Sequence, residues 1–188
     1  MATTTTALVE RTERFLDLEQ GDRQDPIRGL PSTAAIGGHP IHPMLIPYPL
    51  AFLTTALATD LAARATGDAF WSRASNWLLG AGIVSGAVAG AVGVIDYVTI
   101  RRAHEKNVGK IHAYGNPLAL ALAAANLATR RDAPEGALPG TGAVILSAAT
   151  AAVLGVTGWA GAELSYRHMV GVAGHDDQHT EEEKRVVP

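Results

Sequence analysis

The chemistry this sequence offers rests on its seven histidines and on two carboxylates set near the ends of apolar runs, Asp96 and Glu163. His39 and His42 stand in the run Gly37-Gly38-His39-Pro40-Ile41-His42-Pro43, His104 lies within a basic stretch, and His112 follows it. His168 closes the last apolar run, with His175 and His179 in the polar tail. Neutral imidazole is the commonest metal ligand and changes charge near physiological pH. Histidines joined by a carboxylate can therefore hold a transition metal, supply axial ligands to a haem, or relay protons within a membrane. His42, His112 and His168 are the candidate ligands to haem b or to a metal ion, with Asp96 and Glu163 as further ligands if the group is a metal. A coordinating histidine needs its other ring nitrogen held by a neighbour, and His39, Asp96, Asn116 and Tyr166 are the candidates for that supporting role. Asn116 lies four residues after His112, on the same face of a helix.

Each of these residues has a plainer reading. Histidine and tyrosine sit comfortably where lipid headgroups meet water, and nothing apolar surrounds His104, His175 or His179, which are expected to be solvated. Asp96 can pair with Arg101 or Arg102, and Glu163 with Arg167 at a spacing of four. His42, His112 and His168 divide evenly between a bound group and structural hydrogen bonding. No serine, cysteine or paired-carboxylate catalytic centre is legible, so no catalytic residue is assigned and no stand-alone enzyme activity is expected.

The elements that must position these residues follow from where charge is missing. No Asp, Glu, Lys or Arg occurs between Arg28 and Asp60, Arg73 and Asp96, Lys110 and Arg130, or Glu135 and Glu163. A water-soluble helix of such length needs a polar face, whereas a hydrocarbon core needs roughly 20 apolar residues to cross it. The expected fold is all-α, a four-helix transmembrane bundle running up-down-up-down, with a short N-terminal amphipathic helix and a polar C-terminal tail. The spans fall at residues 44–65, 74–100, 111–128 and 141–166. Residues 1–38 form the polar N-terminal segment, 39–170 the membrane domain and 171–188 a disordered tail. Within the first segment, Leu8, Val9, Phe15 and Leu16 recur at a spacing of seven and mark the amphipathic helix. A Gly67-Asp68 turn and a basic loop at 101–110 join the first three spans.

Gly82, Gly86 and Gly90 in the second span, and Gly155, Gly158 and Gly161 in the fourth, would let helix backbones approach closely. The bundle is accordingly expected to be tight, with no wide pore, and no internal repeat stands out. Asp60 and Arg64 read as an ion pair at a spacing of four, with Arg130 and Arg131 anchoring the same membrane surface. Four antiparallel spans put all seven histidines, Asp96 and Glu163 at one end. Lys and Arg are more numerous on the side holding both termini, which places that side in the cytoplasm. A net charge of −3 gives no sign of nucleic-acid binding. The absence of cysteine excludes disulfides, thiolate zinc sites, iron–sulfur ligation by this chain and covalent c-type haem. No cleavable signal peptide is visible, so the first span is expected to act as its own targeting signal.

The segment GGHPIHPMLIPYPLAFLTTALATDL resembles a bacterial membrane family named for domain of unknown function 2231. Gly93 to Asp96 are similar too, as are Arg102, His104, Asn107, His112 and Asn116. So is GWAGAELSYRHMVGV with Gly158, Gly161, Tyr166, Arg167, His168, Gly171 and Val172. The resemblance covers about residues 35–173 and implies a four-helix membrane bundle in a bacterial inner membrane. Some relatives continue into a Rieske-type iron–sulfur domain, which implies electron handling through haem or quinone. This chain has no cysteine, so its redox partner would be a separate protein. Three functions stand at this point. One is a membrane redox or haem/metal-binding module; another is a non-catalytic scaffold or accessory subunit. The third is a small proton, ion or solute transporter acting as a homo-oligomer through Asp96 and Glu163. The lipid bilayer is a partner in all three.

Overall fold

The structure, a computed structural model, describes residues 29–172 and, in the N-terminal segment, residues 9, 11 and 12. Leu8, Phe15 and Leu16 of the expected amphipathic helix, and His175 and His179 of the expected tail, lie outside the described residues.

The described chain begins with a small hairpin. Strands β1 (Ala35–Ile36) and β2 (His39–Pro40) pair antiparallel, with Ala35 opposite Pro40 and Ile36 opposite His39. Gly37 and Gly38 close the turn at φ of 58° and 81°, a region that side chains disfavour and glycine does not. Helix α1 (Ile41–Leu45) runs on into α2 (Pro47–Thr66). The prolines at the start of α2 fall where no helical N–H is required. The expected Gly67-Asp68 turn is present: Gly67 adopts φ 71°, and the Asp68 carboxylate accepts from the Phe70 N–H at 2.8 Å, capping α3 (Ala69–Thr99).

Residues 101–110, expected as a loop, are largely helical. Helix α4 (Arg101–Glu105) is followed at once by α5 (Asn107–Ala128), because Gly109 lets the two backbones meet. A side chain there would collide with the Ala103 carbonyl. Helix α6 (Thr141–Tyr166) has the bounds the sequence suggests.

Helix α2 packs along α3, and α5 along α6; α3 also meets α5, and α2 meets α6. The chain therefore forms two helical hairpins facing each other, and their buried positions are in register. Pro49, Leu53 and Ala56 are buried in α2, and Ala119, Ala123 and Asn126 in α5, each pair 70 residues apart. In α3, Ser75, Leu79, Gly82, Gly86 and Ala89 match Ala143, Ser147, Thr150, Leu154 and Thr157 of α6, 68 residues apart. Sequence identities follow the same offset of 70: His42 and His112, Pro47 and Pro117, and Leu57-Ala58-Thr59 with Leu127-Ala128-Thr129. An internal repeat is present after all. It escapes a reading along the chain because most of its matched positions differ in residue type.

Leu53, Ala56, Leu79, Ala119, Ala123 and Leu154 form the central core, and Val108, Ala160 and Leu164 a second cluster near one end. Gly82 and Gly86 do the close packing expected of them. Side chains at those positions would run into Leu53 and Leu120. Among the described residues, Gly90, Gly155 and Gly158 have open space beside them and make no such contact.

The outer surface is apolar: Trp77, Val84, Val98, Ile145 and Val156 are all exposed. Each would forgo about 1.5–3 kcal/mol of burial in water, and none does so against hydrocarbon. Three helical stretches are long and apolar enough to cross a membrane: Ile41–Thr66, Ala69–Thr99 and Thr141–Tyr166. Helix α5 has 22 residues but includes Lys110, His112, Asn116 and Asn126, which lower its hydropathy.

The end of the hairpins away from the histidines is closed by a buried ion pair. Asp60 pairs with Arg130 of the other hairpin, at 2.7 Å between Oδ2 and Nη2 and 2.9 Å between Oδ1 and Nη1. The expected Asp60–Arg64 pair is not what forms; Arg64 instead donates to the Pro139 carbonyl at 3.2 Å. Ser75 and Ser147 donate to the two Asp60 oxygens at 2.5 and 2.6 Å, and Asn126 accepts from Arg130 at 2.9 and 3.0 Å. Asp60 and Arg130 are equivalent positions of the two halves, so a charge at one is neutralised by its counterpart at the other.

Candidate functional site

At the opposite end, His42 and His112 meet. Their rings lie 5.9 Å apart between centroids and nearly perpendicular, at 87°. His42 precedes α2 and His112 lies in the first turns of α5, at equivalent places in the two hairpins. Their anchoring is equivalent as well. His42 Nδ1 lies 2.8 Å from the Ala89 carbonyl, and His112 Nδ1 lies 2.8 Å from the Thr157 carbonyl. A carbonyl oxygen only accepts, so each Nδ1 carries a proton and donates it. In the neutral ring this leaves the lone pair on Nε2, and among the described residues neither Nε2 has a hydrogen-bond partner.

Glycine makes both anchors fit. Gly93 is four residues beyond Ala89, and a side chain placed there would come within 2.7 Å of the His42 ring. Gly161 is four residues beyond Thr157, and the corresponding approach to the His112 ring is 2.8 Å. In both hairpins the imidazole thus lies over a glycine and donates to the carbonyl one turn earlier. Asn116 completes the His112 side: it donates to the His112 carbonyl at 2.8 Å and accepts from the Thr157 hydroxyl at 3.1 Å.

Both rings line a cavity of about 220 Å³ between the hairpins. Its other walls include Pro49, Leu53, Leu120 and Leu154, with Tyr97, Asn116 and Thr157 as the polar exceptions. The cavity wall thus offers two imidazoles, each anchored through Nδ1, on a largely apolar lining. Two imidazoles of this kind could serve as donors to a metal ion or to a haem iron.

The remaining sequence candidates do not join the pair. His168 is fully buried but is not part of the cavity wall, and its backbone carbonyl accepts from Arg102 at 2.9 Å. His39 is exposed on β2, and Tyr166 is 86% exposed, so neither can support a buried ligand. Asp96 pairs with neither Arg101 nor Arg102. Its carboxylate accepts from the Ser32 hydroxyl at 2.7 Å, the Thr33 N–H and hydroxyl at 2.9 and 3.0 Å, and the Ala34 N–H at 3.1 Å, pinning the segment before β1. Glu163 forms the expected pair with Arg167, at 3.2 Å. His104 is half-buried rather than solvated, with Nδ1 3.1 Å from the Tyr97 carbonyl. No group of three His, Cys, Asp or Glu side chains converges among the described residues. Of the three candidate histidines, His42 and His112 come together and His168 does not.

The sequence reading assigns no site role to Gly93 or Gly161, which enter it only through the resemblance and helix packing, and none to the carbonyls of Ala89 and Thr157. The signal that could have found them is the shared spacing of the histidines and the glycines in the two halves.

A family model described as "Predicted membrane protein (DUF2231)" matches residues 38–174. No curated protein and no solved structure matches the chain.

Proposed function

Because this chain belongs to that family of predicted membrane proteins, we propose that it is a four-span bundle whose paired histidines hold a redox-active group, a transition metal or a haem. In this reading α5 crosses the bilayer beside the three longer helices, its polar side chains facing its neighbours rather than lipid. The protein is a multi-pass protein of the bacterial inner membrane, with the histidine end and both termini on the cytoplasmic side.

The observation that carries the reading is the matched anchoring of His42 and His112. A histidine held through Nδ1 presents Nε2 to a ligand in one fixed direction, which is how metal-ligating imidazoles are supported. Two such rings 5.9 Å apart on one cavity are arranged for a common ligand. The group, when bound, would supply the one-electron chemistry, while this chain would fix the rings, exclude water with leucines and admit no fixed charge. A transport role is less well supported, since Asp96 is occupied by four hydrogen bonds and Glu163 by Arg167. The scaffold reading draws on the Asp60–Arg130 closure, which ties the two hairpins together.

Purification in mild detergent after expression with added iron, copper and haem precursor tests the proposal. A Soret band or one equivalent of transition metal is expected, retained by the wild type and lost in both His42→Ala and His112→Ala. A colourless, metal-free wild type would leave the scaffold reading.

A further inference from the structure

The two halves of the chain place equivalent groups on either side of one cavity. His42 and His112, Ala89 and Thr157, and Gly93 and Gly161 correspond at constant offsets. The contacts between helices keep their pattern when the hairpins are exchanged. An approximate two-fold axis therefore runs between the histidines, and a ligand on that axis meets both Nε2 atoms alike. A ligand bound in this way needs two donors and no more.

Resting on the two-histidine reading above, we propose that this axis site binds a single soft monovalent ion, copper(I), through His42 Nε2 and His112 Nε2. Four features select it. The first is ligand count. Zinc in protein sites is almost always four-coordinate, whereas copper(I) is satisfied by two nitrogen donors placed opposite each other, and the described residues bring no third His, Cys, Asp or Glu to the site. The second is charge. Both donors are neutral, so any ion keeps its full charge in an apolar cavity. The cost of burying an ion rises with the square of its charge, so a monovalent ion incurs about one quarter of the divalent penalty.

The third feature is distance. With metal–nitrogen bonds of about 2.0 Å and about 1.1 Å from ring nitrogen to centroid, two imidazoles on one ion have centroids ~6.2 Å apart when opposed and ~5.1 Å apart at a tetrahedral angle. The observed 5.9 Å lies towards the opposed arrangement. The fourth is volume. A cavity of about 220 Å³ is smaller than the roughly 300–1,000 Å³ of sites for organic ligands, but ample for an ion. Binding transfers no electron and releases no proton, because both Nε2 atoms are already bare in the neutral rings.

The test is an anaerobic titration of the metal-free full chain in detergent with copper(I), read against a chromophoric copper(I) chelator. Silver(I) serves as a redox-inert second probe. One equivalent of either ion should bind, unaffected by equimolar zinc, with affinity at least 100-fold lower in His42→Ala and in His112→Ala. Should an alanine variant fail to fold, His42→Gln and His112→Gln, checked by size exclusion, replace them. Binding that survives in either single variant overturns the axis site. A Soret band in the wild type, with no copper(I) or silver(I) binding to the haem-free protein, overturns the copper proposal and keeps the histidine pair as a haem site. Neither haem nor ion bound rejects both.

Discussion

Arg130→Ala should destabilise the protein more than any other single substitution away from the histidines, by about 3–5 kcal/mol, the usual cost of removing one partner from a buried ion pair. Arg130 makes both charged contacts to Asp60 and also bonds Ser75, Asn76 and Asn126. Without it, Asp60 keeps its two serine donors but has no positive charge beside it, in a site with no access to water. Thermal unfolding in detergent, followed by circular dichroism or a dye assay, would show a large fall in Tm. Asp60→Leu combined with Arg130→Met should recover much of the loss, since replacing both members of a buried pair by apolar groups is often neutral. A single variant as stable as the wild type would mean that the two residues do not meet. Arg64→Ala is the informative comparison. It loses only a hydrogen bond to Pro139, so its effect should be near 1 kcal/mol.

The second large effect is expected at the glycines beneath the rings. Gly161→Val puts a branched side chain where the His112 ring lies, and Gly93→Val does the same to His42. Each should displace its ring from the carbonyl that holds it and weaken metal or haem retention by roughly 10–100-fold, the range seen when the support of a ligating histidine is removed. The helices should survive, because the collision is with a side chain and not with a neighbouring backbone. Gly155→Val, whose added atoms meet open space, should leave retention unchanged. If the three valine variants retain the ligand equally well, the glycines have no part in positioning the rings.

These two predictions also separate what the sequence discloses from what it withholds. The gaps between charges locate the long helices to within a few residues, since a bilayer tolerates few charges wherever they fall along a span. The turn at Gly67-Asp68 is legible because its backbone conformation and its cap are local. Partners across the fold are another matter. Asp60 has Arg64 one turn away, so a reading along one helix pairs them, but the fold brings Arg130 from the other hairpin into a bidentate contact. Asp96 likewise has arginines close by in sequence, while the geometry gives it Ser32, Thr33 and Ala34 from a segment that reads only as polar lead-in.

The glycines show the same limit. Gly82, Gly86 and Gly90 at intervals of four suggest helix packing, and Gly82 and Gly86 do pack, yet Gly93 and Gly161 make room for imidazoles. Topology alone brings histidines to one end of the helices and sets no distance between them. Among the three favoured ones, His42 and His112 share a cavity and His168 lies apart, buried against the close of α6. The duplication is what makes the pair intelligible: one imidazole per hairpin, one glycine seat per hairpin, and one half of an ion pair per hairpin at the far end.

The chain has no cysteine of its own, so His42→Cys/His112→Cys gives a clean probe of this meeting of the two halves. In native membranes, a short bifunctional thiol reagent should join the two positions within one chain. Mass spectrometry would detect this as linked peptides from the α1 and α5 regions, without dimer formation. Two freely alkylated cysteines, with one reachable only from each face of the bilayer, would contradict the paired-hairpin account.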